Sequence, residues 1–166
     1  MYSSHIRRLE NEYKEMTALA EKLQDTLTFE AKGSPPTAYS LTVRCPGLEW
    51  QGDAPVQRDE HCFEIQLPEN YPLSPPEIQW NTPIFHPNIK VPRVCLGDHW
   101  NSSTGLTDIC ETLIRMILFE EANILDPLDA QAATWLITER LWLAVKSQQE
   151  SQDDFEFDFS SPRVNT

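Results

Sequence analysis

The chain has 166 residues, 40% of them hydrophobic and 23% charged, which is the composition of one soluble globular domain able to build its own core. Its formal net charge of −13 excludes nucleic acid as a main partner, since phosphate contacts need clustered Lys and Arg. No apolar run approaches the roughly 20 residues of a membrane span, and the opening MYSSHIRRLENEYKEM lacks the apolar stretch of a signal peptide. The four cysteines, 45, 62, 95 and 110, form neither a CxxC pair nor a dense disulfide framework, so a cytoplasmic chain with reduced thiols is expected.

In chain order, Ile6, Leu9, Tyr13, Met16, Ala20 and Leu23 recur at steps of three and four and predict an amphipathic helix capped by Ser3 or Ser4. Arg7, Arg8, Lys14 and Lys22 lie off that stripe, as a solvated charged face or as a dock for an acidic partner. Four short segments follow, 27–33, 40–45, 61–67 and 77–80, rich in β-branched and aromatic residues. Without helices between them, they predict an antiparallel meander. Residues 46–60 read as a long loop, either mobile or with contacts of its own. From Pro68 to Pro92 seven prolines predict rigid irregular structure, with Tyr71–Pro72 a candidate cis bond. Two helices are expected after that. The first covers 106–123 with Thr107 as cap; the second covers 129–150, capped by Asp129 and burying Trp135, Leu136 and Leu143. The end, ESQDDFEFDFSSPRVNT, alternates acids with aromatics and reads as a disordered acidic tail over 151–166, leaving one domain over 1–150.

One stretch carries the chemistry. IFHPNIKVPRVCL, residues 84–96, sets a His-Pro-Asn turn shortly before Cys95. Cysteine is the side chain best suited to hold an acyl group as an exchangeable thioester, although a buried free cysteine is more often inert core. Cys45, Cys62 and Cys110 fall within strand and helix patterns and read as core. No His or acid beside Cys95 suggests a protease-like pair; His99, four residues on, reads as structural.

The order of segments, with FEIQLPENYPLSPPEIQWNTPIFHPNI (63–89), VCLGDHW (94–100), GLTDICETLI (105–114) and Asp-Pro-Leu at 126–128, resembles the ubiquitin-conjugating enzyme family over about residues 4 to 145. The resemblance implies that family's α+β fold: an N-terminal helix, a four-stranded antiparallel meander and C-terminal helices. It implies an enzyme that carries ubiquitin or a ubiquitin-like protein as a thioester on Cys95, without metal or other cofactor. Asn88 then steadies the loop or the oxyanion, and Asp126 orients an incoming lysine. His86, Pro87, Tyr71 and Pro72 give structural support. Arg7, Arg8 and Lys14 dock the activating enzyme, while Leu73, Ser103 and Thr104 stand where family members meet a ligase.

The chain also departs from the family pattern. Cys95 follows His86 by 95 − 86 = 9 positions where the family usually has ten, and Ser103-Thr104-Gly105 replaces the usual Ser-Pro-Ala. Leu73 stands where an aromatic often sits, and after Asp-Pro-Leu there is room for one long helix rather than a pair. Two other readings of the chain are a catalytically inactive adaptor of the same fold and an unrelated thiol hydrolase. The retained cysteine weighs against the first, and the missing His/Asp signature against the second.

Overall fold

A computed structural model of the chain describes residues 3–153, with side chains up to residue 149. Helix α1 (Ser4–Leu23) begins as expected, with the Ser3 hydroxyl accepting the Ile6 N–H at 3.2 Å. Its buried side is Leu9, Glu12, Met16 and Leu19. Tyr13, assigned to the stripe by spacing, is exposed and packs edge-on against Phe29. The inward face is thus rotated toward Glu12, because that carboxylate finds buried donors.

Strands β1 (Leu27–Gly33), β2 (Pro36–Gln51), β3 (Ala54–Gln66) and β4 (Glu77–Trp80) form one antiparallel sheet in chain order, the meander read from the sequence. Alternation along β2 turns Tyr39, Leu41 and Val43 inward. Their partners across the ladder are Ile65, Phe63 and His61. Phe63 in turn stacks on Trp80 of β4, centroids 4.7 Å apart. Burying each such side chain is worth about 1.5–3 kcal/mol, so register is held by the core face. Helix α2 (Leu106–Ile117) packs on the same side with Leu106, Ile109, Cys110, Leu113, Met116 and Ile117 buried.

Residues 46–60 are not a loop. β2 and β3 stay paired to Gln51 and Ala54, with a two-residue turn at Gly52–Asp53. Pro46 and Gly47, which look like turn residues, mark a bulge where the register shifts between Arg44 and Gly47. A proline is tolerated there because the ladder is interrupted. Gly47 is required by space: a Cβ would stand 2.7 Å from the His61 ring and 2.8 Å from Ile117 Cγ2.

The proline-dense stretch is irregular as expected, and Tyr71–Pro72 is cis, as are Ser34–Pro35 and Val91–Pro92. Within it, β5 (Ile89–Lys90) and β6 (Arg93–Val94) form a small hairpin fixed to the sheet by Trp80 N–H on the Pro92 carbonyl, 2.9 Å. Two helix expectations need correction. Gly105, not Thr107, is the α2 cap, and its N–H is held by the Asp108 carboxylate at 2.9 Å. The helix also stops at Ile117 instead of reaching 123, because Phe119 adopts a left-handed φ of 60° and swings its ring toward His86 and Trp135.

Helix α3 (Ala130–Asp153) follows Asp129, whose carboxylate accepts the Ala132 N–H at 3.1 Å. It is the single long helix expected. It buries Ala132, Ala133 and Leu136 and half-buries Trp135, but Leu143 is 56% exposed where burial was expected. The helix there has moved past the body. The acidic tail expected over 151–166 lies outside the described residues from 154 on, and 151–153 continue α3. Among the described residues no helix is long and apolar enough to cross a membrane.

Candidate functional site

The His-Pro-Asn turn is fastened at every residue. His86 is fully buried; its Nδ1 accepts the Asn88 N–H at 2.9 Å, leaving Nε2 to donate to the Glu121 carbonyl at 3.0 Å. Loss of solvent pulls its pKa down to about 4, so the ring is neutral near pH 7 and both nitrogens are occupied. The Pro87 carbonyl accepts the N–H groups of Leu128 and Asp129, 2.8 and 3.0 Å. This hangs the Asp-Pro-Leu segment from the turn. Asn88 is buried and spends its whole amide on one residue: Nδ2 donates to the Asn123 carbonyl at 2.8 Å, and Oδ1 accepts the Asn123 N–H at 2.7 Å. The Asn88 carbonyl accepts the Cys95 N–H at 2.9 Å.

Cys95 is therefore held by the backbone directly beside the turn, half-buried, between β6 and a 3-10 turn at Gly97–His99. Asp126 is exposed on the segment tethered to Pro87. His99 pairs with the Glu121 carboxylate at 3.3 Å. The hairpin arm forms a floor under this region, with Leu48 accepting the Phe85 N–H at 2.7 Å and Trp50 packed 5.1 Å from the Phe85 ring.

The other thiols differ in setting. Cys110 is fully buried against Met16 Sδ at 3.8 Å, and desolvation pushes its pKa up. Cys45 is half-buried; desolvation, helped by Asp59, raises it to about 11. Cys62 is half-buried beside Thr42, not part of the closed core expected for it.

A second cluster ties α1 to the loops on either side. Glu12, 2% exposed, accepts from Arg8 Nε at 2.7 Å, from the Tyr71 hydroxyl at 2.6 Å and from the Leu106 N–H at 2.8 Å. Burial and the Glu12 carboxylate push the Tyr71 phenol up, keeping it a donor. Arg8 also donates to the Ser102 and Thr104 carbonyls and lies over the Tyr71 ring. Expected as a docking cation, Arg8 instead has its guanidinium committed within the fold. Arg7 and Lys14 remain exposed. Arg7, Tyr71, Pro72 and Leu73 line one surface groove, and Leu73 is 82% exposed beside it. Ser103 is exposed and Thr104 half-buried on the loop that Arg8 holds.

Glu12, Phe119, Glu121 and Asn123 escaped the reading of the sequence. For Glu12 a signal existed: it stands three residues after Leu9 and four before Met16, on an apolar face where a charge calls for partners. Nothing local marks the other three.

The sequence matches the model of the family described as ubiquitin-conjugating enzyme over residues 8–147. It is 31% identical over 130 residues to "Ubiquitin-conjugating enzyme E2 pex4" of Dictyostelium discoideum, covering 75% of this chain and 81% of that one. It is 26% identical over 153 residues to the human "Ubiquitin-conjugating enzyme E2 K", covering 84% and 73%. Among solved structures, S. cerevisiae Ubc12 superposes with a TM-score of 0.61 at 27% identity, covering 82% of this chain and 70% of that one.

Proposed function

The chain belongs to the ubiquitin-conjugating enzyme family, and from that premise we propose that Cys95 carries ubiquitin or a ubiquitin-like protein as a thioester in the cytoplasm. The Cys95 sulfur attacks the thioester carbonyl presented by an activating enzyme and expels that enzyme's thiol. An amine of the target then attacks the Cys95 thioester, losing its proton as the Cys95 thiol departs. Exchange between two thioesters is nearly balanced, so the carrier needs access and positioning more than an activated thiol.

The observation that carries this reading is the fastening of Cys95 to Asn88 through the backbone, with the half-buried Cys95 beside the turn and the Asp126 segment hung from the same turn. Asn88, with both ends of its amide on Asn123, serves as the brace of the loop. Asp126 orients the incoming amine from its exposed position. Arg7 and Lys14 dock the activating enzyme, and Leu73, Ser103 and Thr104 face a ligase. Residues 1–150 form the conjugating domain.

The test is ATP-dependent charging with a cognate activating enzyme and modifier, wild type beside Cys95→Ser. The expected result is a wild-type adduct lost on reduction and a reduction-stable ester in the variant. An adduct unaffected by Cys95→Ser would place the carrier thiol elsewhere. Modifier binding without any adduct would favour the inactive adaptor.

A further inference from the structure

The β5–β6 hairpin places a lysine beside Cys95. Ile89 pairs with Val94 and Lys90 with Arg93, and the ladder runs one pair further, since the Asn88 carbonyl accepts the Cys95 N–H at 2.9 Å. Residues opposite each other in an antiparallel pair share a face, and the faces alternate along each strand. Ile89 is fully buried in the core, and Val94 packs against that core. Lys90, Arg93 and Cys95 therefore belong to the other face. Lys90 stands diagonally across the ladder from Cys95, a separation of about 7–8 Å that a long side chain covers.

The setting leaves this amine available. Lys90 is exposed, and among the described residues no ion pair holds its ammonium. Arg93 shares the face, but a guanidinium stays protonated and is no acyl acceptor. The other four lysines lie elsewhere: Lys14 and Lys22 on α1, Lys32 near the end of β1 and Lys146 on α3. The hairpin is anchored at its tip by the Trp80 N–H on the Pro92 carbonyl, 2.9 Å. Lys90 is thus kept near the sulfur, and such proximity raises the effective concentration of an acceptor.

We propose that Lys90 is an acceptor for the modifier carried on Cys95 of the same chain, an inference that rests on the thioester reading. Lys90 Nζ bonds to the thioester carbonyl carbon, the carbon–sulfur bond breaks, and the proton lost by the amine leaves with the Cys95 thiol. The products are a modifier joined to the hairpin by an isopeptide bond and a free Cys95.

The full chain is charged with the activating enzyme and modifier that form the Cys95 adduct, ATP is removed, and the adduct is followed without any target protein. The reducible adduct should give way to a reduction-stable one whose peptide map carries the modifier remnant on Lys90. Its rate constant should not change on dilution, and a tagged Cys95→Ser chain added after ATP removal should stay unmodified. Lys90→Arg should slow the stable product about tenfold, the rate being taken per charged Cys95. Absence of any thioester removes the carrier reading and this proposal together. A thioester that is lost only to hydrolysis, that modifies the tagged chain instead, or that gives stable product equally fast in Lys90→Arg overturns this proposal alone.

Discussion

His86 is held by two hydrogen bonds in a site that refuses its charge, and this makes it a source of pH dependence. Burial pulls its pKa down to about 4, against about 6.5 in an unfolded chain. Between those values the unfolded state binds the proton and the folded state does not. Stability is therefore complete above about pH 6.5 and is lost as pH falls toward 4, by roughly 3 kcal/mol in all. His61, pulled down mainly by its own desolvation, adds to the loss with the same sign. Urea unfolding between pH 7.5 and 4.5 should show this decline, and His86→Gln should make it shallower. An unchanged slope in the variant would remove His86 as the cause. The His-Pro-Asn turn was legible in the sequence because its three residues are adjacent and its geometry is local. Its brace was not, because Asn88 and Asn123 stand 35 positions apart and an asparagine there advertises nothing.

At the level of elements, the long β2–β3 arm shows where reading by punctuation fails. Pro46 and Gly47 carry the composition of a turn, yet they sit in a strand whose bulge absorbs both. The neighbours of Gly47 in space, His61 and Ile117, come from another strand and a helix. Substitution separates the two kinds of glycine in this arm. Gly47→Ala should cost about 1–3 kcal/mol by overpacking against His61 and Ile117. Gly52→Asn should cost less, since a Cβ at Gly52 meets nothing within 4 Å and asparagine tolerates its φ of +64°. Denaturant midpoints measured with constant m-values decide the order, and a larger loss at Gly52 would refute it. The short α2 has the same origin: periodicity ran on to 123, but Phe119 gave up the helix for contacts with His86 and Trp135. The meander, by contrast, was readable because each strand pairs with the next in sequence.

Across the whole molecule, the −13 charge sets the background for the docking role proposed for α1. With Arg8 bound within the fold, the exposed Arg7 and Lys14 are the cations left to the proposed dock. Arg7→Glu/Lys14→Glu should slow charging of Cys95 by an activating enzyme at low salt, with the deficit shrinking as salt screens the contact. Charging rates equal to wild type at every ionic strength would move the dock elsewhere.

Glu12 has a further consequence for how the chain reaches this structure. Its donors Tyr71 and Leu106 lie 59 and 94 positions away, so its hydrogen bonds close two of the longest loops in the chain. Until both have closed, docking α1 on the sheet would strip water from a carboxylate with only Arg8 to answer it. Partly assembled states are penalised in this way, which favours docking of α1, the Tyr71 loop and the start of α2 as one unit. The carboxylate thus acts as a proofreading charge, favouring assemblies in which segments that sequence keeps far apart are all in place.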